Sequence, residues 1–132
     1  MEVMTWLFDT HIHLSDPEYI SDMPAIIQNM EHMKTRACCV SMDFENSQET
    51  LELAKSSNLI LPFIGIHPEK SPDNLENICE LINNNIQKIS GIGEIGLDVT
   101  FVNSDEGFQR QKLVFETLLS LAEKHDKPVS IH

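Results

Sequence analysis

At 132 residues the chain is long enough for one ordinary domain with a sizeable core. Its 9 Lys+Arg against 21 Asp+Glu leave a net charge of −12, which argues against nonspecific nucleic-acid binding through a basic surface, though not against an enzyme whose bound metals supply local positive charge. The longest apolar stretch, Leu59 to Ile66, is far too short to cross a bilayer, and the start Met1-Glu2 carries no basic leader region.

Two further counts narrow the class. Cys38, Cys39 and Cys79 are an odd set without CxxC spacing, so the expectation is reduced thiols in a soluble, cytoplasmic protein rather than a disulfide framework. Only Arg36 and Arg110 supply guanidinium groups, so phosphate contacts from arginine are few.

In chain order, residues Thr5–Thr10 read as a first strand. Ser21–Lys34 reads as a helix, with Met23, Ile26, Ile27, Met30 and Met33 at helical spacing. Arg36–Met42 is a continuous buried strand, and Asn46 with Glu49 three residues on predicts a capping box for a short helix to about Ser56. Leu59–Ile66 is the third strand, with Pro62 better suited to its start or a bulge than to a central position. Ser71-Pro72 predicts the cap and first residue of a helix to about Asn84. Ile89–Gly93 is a fourth strand, Asp105–His125 a long amphipathic helix, and Pro128–His132 opens a fifth strand.

Strands and helices that alternate in this way, with near-continuous apolar strands, predict an α/β domain with a parallel sheet. A flavodoxin-like doubly wound sheet has the right number of elements. The amino-terminal half of a (β/α)8 TIM-type barrel instead gathers the carboxyl ends of strands one, four and five around one mouth. Those ends carry the chemistry.

Asp9-Thr10-His11-Ile12-His13-Leu14 puts two imidazoles at i and i+2, on one face of a strand, about 6.5–7 Å apart at Cα and within reach of one metal ion. Gly91-Ile92-Gly93-Glu94-Ile95-Gly96-Leu97-Asp98 adds a carboxylate able to bridge two ions, and His132 ends the fifth strand. His11, His13, Glu94 and His132 together form a nitrogen–oxygen ligand set for divalent ions. Each piece has a bland counterpart: an incidental HxH, a glycine turn with a solvated acid, a satisfied histidine at His67 in Gly65-Ile66-His67-Pro68. Their coincidence at successive strand ends favours a metal site.

These motifs, with Lys127-Pro128-Val129-Ser130-Ile131-His132, resemble in order and spacing the TatD-type metal-dependent deoxyribonucleases, amidohydrolase-like (β/α)8 barrels. The helical run from Gln111 to Ala122 is also similar to the family's helix before its histidine strand. The resemblance covers the whole chain. It implies a two-metal hydrolase that cleaves phosphodiesters, DNA above all, by attack of a metal-bound hydroxide; some relatives are linked to removal of D-amino acids from charged tRNA. It assigns His11 and His13 to a first ion, Glu94 to a bridging and catalytic role, His132 to a second ion, and His67 to the substrate phosphate. Zinc, manganese or magnesium would serve.

Some positions depart from the family pattern. Glu69 stands where many relatives carry a second histidine, and Val99 replaces a frequent aromatic. The family's later arginine, metal-binding histidine and general-base aspartate would lie beyond residue 132. The expectation is therefore a partial hydrolase domain over residues 1–132, cut within its fifth strand, that binds metal weakly and hydrolyses little alone. It reads best as an amino-terminal fragment; a natural half that pairs with a separate second-half chain, or a non-catalytic half-barrel interaction module, are the alternatives. A PHP-type phosphoesterase, whose chains also open with Asp-x-His-x-His, is the rival enzyme class, but the run from Gly93 to Asp98 fits it less well.

Overall fold

The computed structural model describes residues 5–71 and 74–132, so Met1, Glu2 and Pro72 lie outside the described residues. Five strands form one parallel sheet: β1 Leu7–Ile12, β2 Thr35–Cys39, β3 Ile60–Ile64, β4 Gly91–Ile95 and β5 Val129–Ile131. Parallel neighbours cannot be joined by tight hairpins. Each connection accordingly carries a helix: α1 Met23–Met33, α2 Phe44–Leu53, α3 Leu75–Asn84 and α4 Asp105–Lys124.

Strand order separates the two expected architectures. A flavodoxin-like sheet would run 2-1-3-4-5. Here the order is β1-β2-β3-β4-β5, each strand beside its predecessor, as in the amino-terminal half of a (β/α)8 barrel.

The main core lies where β3 and β4 meet α3 and α4. Ile64, Ile66, Ile78, Ile82, Ile92, Ile95, Val114 and Leu118 are buried there. Each such side chain contributes on the order of 1.5–3 kcal/mol. A smaller cluster, with Leu14, Met30, Ala37, Cys39 and Ile60, seals β2 against α1. The outer strands are barely covered: Phe8 on β1 is 55% exposed and Ile131 on β5 is 56% exposed.

Several boundaries differ from the sequence expectation, each for a local reason. β1 starts and ends two residues later than predicted, so His11 lies inside it and His13 just past its end. The helix predicted from Ser21 begins at Met23, with Pro24 in its first turn and a separate 3-10 turn over Pro17–Asp22 ahead of it. The cap of α2 is Asp43, whose carboxylate accepts the Asn46 N–H at 2.8 Å, not Asn46 itself. Asn46 turns its side chain to the Met42 N–H and the Ser15 hydroxyl. α3 is capped by Asn74 rather than Ser71.

Pro62 sits in the middle of β3, opposite Cys39, against the expectation of a start or bulge. It is tolerated because β4 pairing begins only at Phe63 opposite Gly91, so no ladder N–H is missed. The Pro62 carbonyl still accepts the Ser90 N–H at 2.8 Å.

Candidate metal centre

The site lies at the carboxyl ends of the strands, and its two principal strands each carry one extra residue there. Between Asp9 and Ile12 β1 gains a residue on β2, and between Gly93 and Ile95 β4 gains one on β5. Such bulges re-aim side chains. They fall beside His11 and at Glu94.

The backbone around Glu94 is fixed from an unexpected side. Its N–H donates to the Ser41 carbonyl at 2.9 Å, and the Ser41 N–H donates to the Gly93 carbonyl at 3.2 Å, although β3 separates β2 from β4 within the sheet. The next carbonyl, of Met42, accepts the His67 N–H at 2.8 Å. The Gly93–Glu94 peptide bond is cis. β5 approaches because β4 offers no side chain against it: a Cβ on Gly93 would meet Ser130 at 2.8 Å, and one on Gly96 would meet the His132 Cβ at 3.0 Å. The His132 N–H then donates to the Ile95 carbonyl at 2.8 Å.

These placements converge on the Glu94 carboxylate, whose side chain is only 6% exposed. Its Oε2 lies 3.2 Å from His11 Nε2 and 3.1 Å from His13 Nε2. Its Oε1 lies 2.9 Å from His132 Nδ1 and 3.7 Å from His67 Nε2. Two groups with metal-ligand spacing result, His11–His13–Glu94 and His67–Glu94–His132, with Glu94 common to both. All four sequence-predicted ligands, and His67 with them, come together.

The far side of each ring decides what its near side offers. His11 Nδ1 is 2.8 Å from the Ser130 hydroxyl, which can take its proton and leave Nε2 a lone pair. His132 Nε2 faces Asp98 Oδ2 at 2.7 Å, so its proton belongs there and Nδ1 is the accepting nitrogen, 3.1 Å from His67 Nε2 and 2.9 Å from Glu94 Oε1. His67 is different. Its Nδ1 accepts the Glu69 N–H at 3.1 Å, so the neutral ring carries its proton on Nε2, toward Glu94 and His132. It presents a donor, not a lone pair.

Burial would raise the Glu94 pKa, but the hydrogen bond with His132 and the charges of His11, His67 and His13 outweigh it and hold the carboxyl below its usual range. Burial pushes His67 below the ordinary imidazole value against the pull of Glu94. Hydrogen bonds to Asp98 and Glu94 raise His132. Hydrogen bonds from Thr100 and His132 pull Asp98 down to about 2.

The residues fit divalent-metal binding. A His132 lone pair and a Glu94 oxygen 2.9 Å apart repel unless a cation or proton lies between them, and His11 and His13 crowd the other oxygen in the same manner. Imidazole nitrogens with a shared carboxylate are ligands for zinc, manganese and similar ions.

Sequence reasoning missed four contributors. Ser130 and Asp98 stand within quoted motifs, yet their roles appear only when β5 lies against β4. Ser41 acts through its main chain. Gln111, buried on α4, donates to the carbonyls of Asp98 and Pro68 and accepts the Asp98 N–H. A polar residue on the apolar side of a helix was the only available signal.

Comparison with known proteins places this geometry. An uncharacterized metal-dependent hydrolase of Methanocaldococcus jannaschii is 32% identical over 127 residues, covering 94% of this chain and 49% of the relative. Human deoxyribonuclease TATDN3 is 24% identical over 140 residues, covering 96% of this chain and 51% of its own length. The crystal structure of YJJV, a TatD homologue from Escherichia coli, superposes with a TM-score of 0.80 at 27% identity, covering 96% of this chain and 50% of that one. A TatD family hydrolase from Entamoeba histolytica shares the fold with a TM-score of 0.81 at 22% identity, covering 99% of this chain and 50% of its own. The chain thus spans about half the length of the curated relatives it matches. The profile described as TatD related DNase matches residues 8–132, which sets the PHP-type reading aside: the chain belongs to the TatD-related DNase family of metal-dependent hydrolases.

Proposed function

We propose that this chain supplies the first-half ligands of a two-metal phosphodiesterase, with DNA as its substrate. The observation that carries the reading is the single buried carboxylate of Glu94, whose two oxygens each face a separate imidazole group. Bound divalent ions would supply positive charge for the phosphoryl oxygens and an activated water. His11 and His13 would hold one ion and His132 the other, with Glu94 as a ligand available to both. His67, with its proton on Nε2, donates a hydrogen bond to a phosphoryl oxygen of the substrate rather than binding metal. DNA as substrate draws on the name of the human relative.

In this reading the chain alone is weakly active. His11, His13 and His132 side chains are 38%, 36% and 30% exposed, so the ligand set is partly open to solvent. The edges of β1 and β5 carry exposed Leu7, Phe8, Val129 and Ile131, a seam suited to further βα units from the same chain or a separate second-half chain. Among the described residues no helix is long and apolar enough to cross a membrane, and the three thiols are free, in keeping with a cytoplasmic location.

The test is native mass spectrometry of the purified chain titrated with zinc or manganese, followed by cleavage of a DNA oligonucleotide. The expected result is weak metal uptake with slow metal-dependent cleavage, both lost in Glu94→Ala with the fold retained. A chain that takes up no metal, or a variant that binds and cleaves like the parent, would sink the reading.

A further inference from the structure

Asp98 is held on three sides. Its Oδ1 accepts the Thr100 N–H at 2.9 Å and the Thr100 hydroxyl at 2.6 Å. Its Oδ2 faces His132 Nε2 at 2.7 Å. Its main chain is clamped by the buried Gln111 amide, which accepts the Asp98 N–H at 3.0 Å and donates to the Asp98 carbonyl at 2.8 Å. The same amide donates to the Pro68 carbonyl at 3.3 Å, so one side chain of α4 sets this loop relative to the turn that follows His67.

We infer that Asp98 is a positioning residue that fixes the His132 ring so that Nδ1, free of its proton, is the nitrogen offered to a divalent ion shared with Glu94. The inference rests on His132 being a ligand, as proposed above, and not on the identity of the substrate.

A carboxylate only accepts hydrogen bonds, so the nitrogen against Oδ2 must carry the proton. A neutral imidazole has one proton, which leaves the opposite nitrogen, 2.9 Å from Glu94 Oε1, as a lone pair. Carboxylates behind metal-binding histidines select tautomer and orientation in this manner, and removing one typically weakens metal binding about 10–100-fold.

An asparagine at this position reverses the preference. Its Oδ1 would stay with the two Thr100 donors, so its amide hydrogens would face His132 Nε2. That nitrogen must then accept, and the ring proton moves to Nδ1, toward Glu94. An isosteric amide behind a catalytic histidine is known to select the wrong tautomer. The conservative variant should therefore bind metal worse than the truncated one. A role in packing or loop order predicts the opposite ranking.

The experiment compares the parent, Asp98→Ala and Asp98→Asn by two measurements. Ring-nitrogen NMR on the metal-free protein at alkaline pH reads which His132 nitrogen carries a proton: Nε2 protonated in the parent, unprotonated in Asp98→Asn. Zinc competition against a chelator reads affinity: about 10-fold weaker in Asp98→Ala and about 100-fold weaker in Asp98→Asn. Should Asp98→Ala fail to fold, Thr100→Val takes its place and must lose less affinity than Asp98→Asn. An unprotonated Nε2 in the parent, or an Asp98→Asn protein that binds zinc at least as well as its comparison variant, overturns the inference. No substrate enters either measurement, so failure to cleave DNA would leave this result standing, and failure here would leave the hydrolase reading untouched.

Discussion

Strands β3 and β4 and strands β1 and β5 belong to one sheet but differ in what supports them. β4 is buried at all five positions, between β3 and β5 and under α3 and α4. β1 is exposed along nearly its whole length, and β5 at two of its three residues. The candidate centre is divided along the same line. The shared carboxylate of Glu94 stands on the best-packed strand, while His11, His13 and His132 approach it from the two least covered ones. The shared carboxylate is thus built into the most buried part of the fold, and the imidazoles are carried by its least covered strands.

The sharpest way to break this contrast is in the core itself. Ile92→Ala leaves a cavity at a fully buried β4 position and should cost about 2–5 kcal/mol, read as a lower urea midpoint with an unchanged slope. A loss below about 1 kcal/mol would mean that β4 is not the support described here.

Gly93→Ala probes the join between the two regions. The added Cβ would meet Ser130 main-chain and side-chain atoms at 2.8 Å, which forces β5 away from β4. Overpacking of this kind costs about 1–3 kcal/mol and should also carry His132 away from Glu94, weakening metal uptake by more than the stability loss alone explains. Unchanged metal affinity would show that β5 can shift without moving the ligand.

At the edge the expected effect is small. Ile131→Ser removes an exposed apolar side chain and should change stability by no more than about 0.5 kcal/mol while reducing self-association, measured by light scattering. A large loss of stability would show that the β5 edge is covered in solution.

Legibility in the sequence followed the same division. The alternation of elements and the four candidate ligands were readable because period-2 and period-3.6 patterns and the HxH and Gly-Glu-Ile-Gly motifs are local. Strand limits at β1 and β4 were read two residues early, since a parallel strand ends where its neighbour's ladder ends, which no single segment reveals. Asp43 lost to Asn46 as the expected cap because both fit the composition rule, and the Asn46 amide is engaged elsewhere, its oxygen by the Met42 N–H and its nitrogen by the distant Ser15. Pro62 looked misplaced because its pairing depends on where β4 begins. Ser130, Asp98 and Gln111 act between elements far apart in the chain, and their partners are fixed by the approach that Gly93 and Gly96 permit.

The hold that residues 41 and 42 keep on β3 and β4 bears on how such a site can diverge. Ser41 and Met42 fix Glu94 and His67 through carbonyl oxygens, which every amino acid possesses. Met42 also lines the recess beside His13, with Asp43 and Lys70. Residue 42 can therefore be exchanged, and the lining of that recess altered, while the carbonyl that holds His67 stays in place. Support for the site and variation beside it then share a single position, the first in its main chain and the second in its side chain.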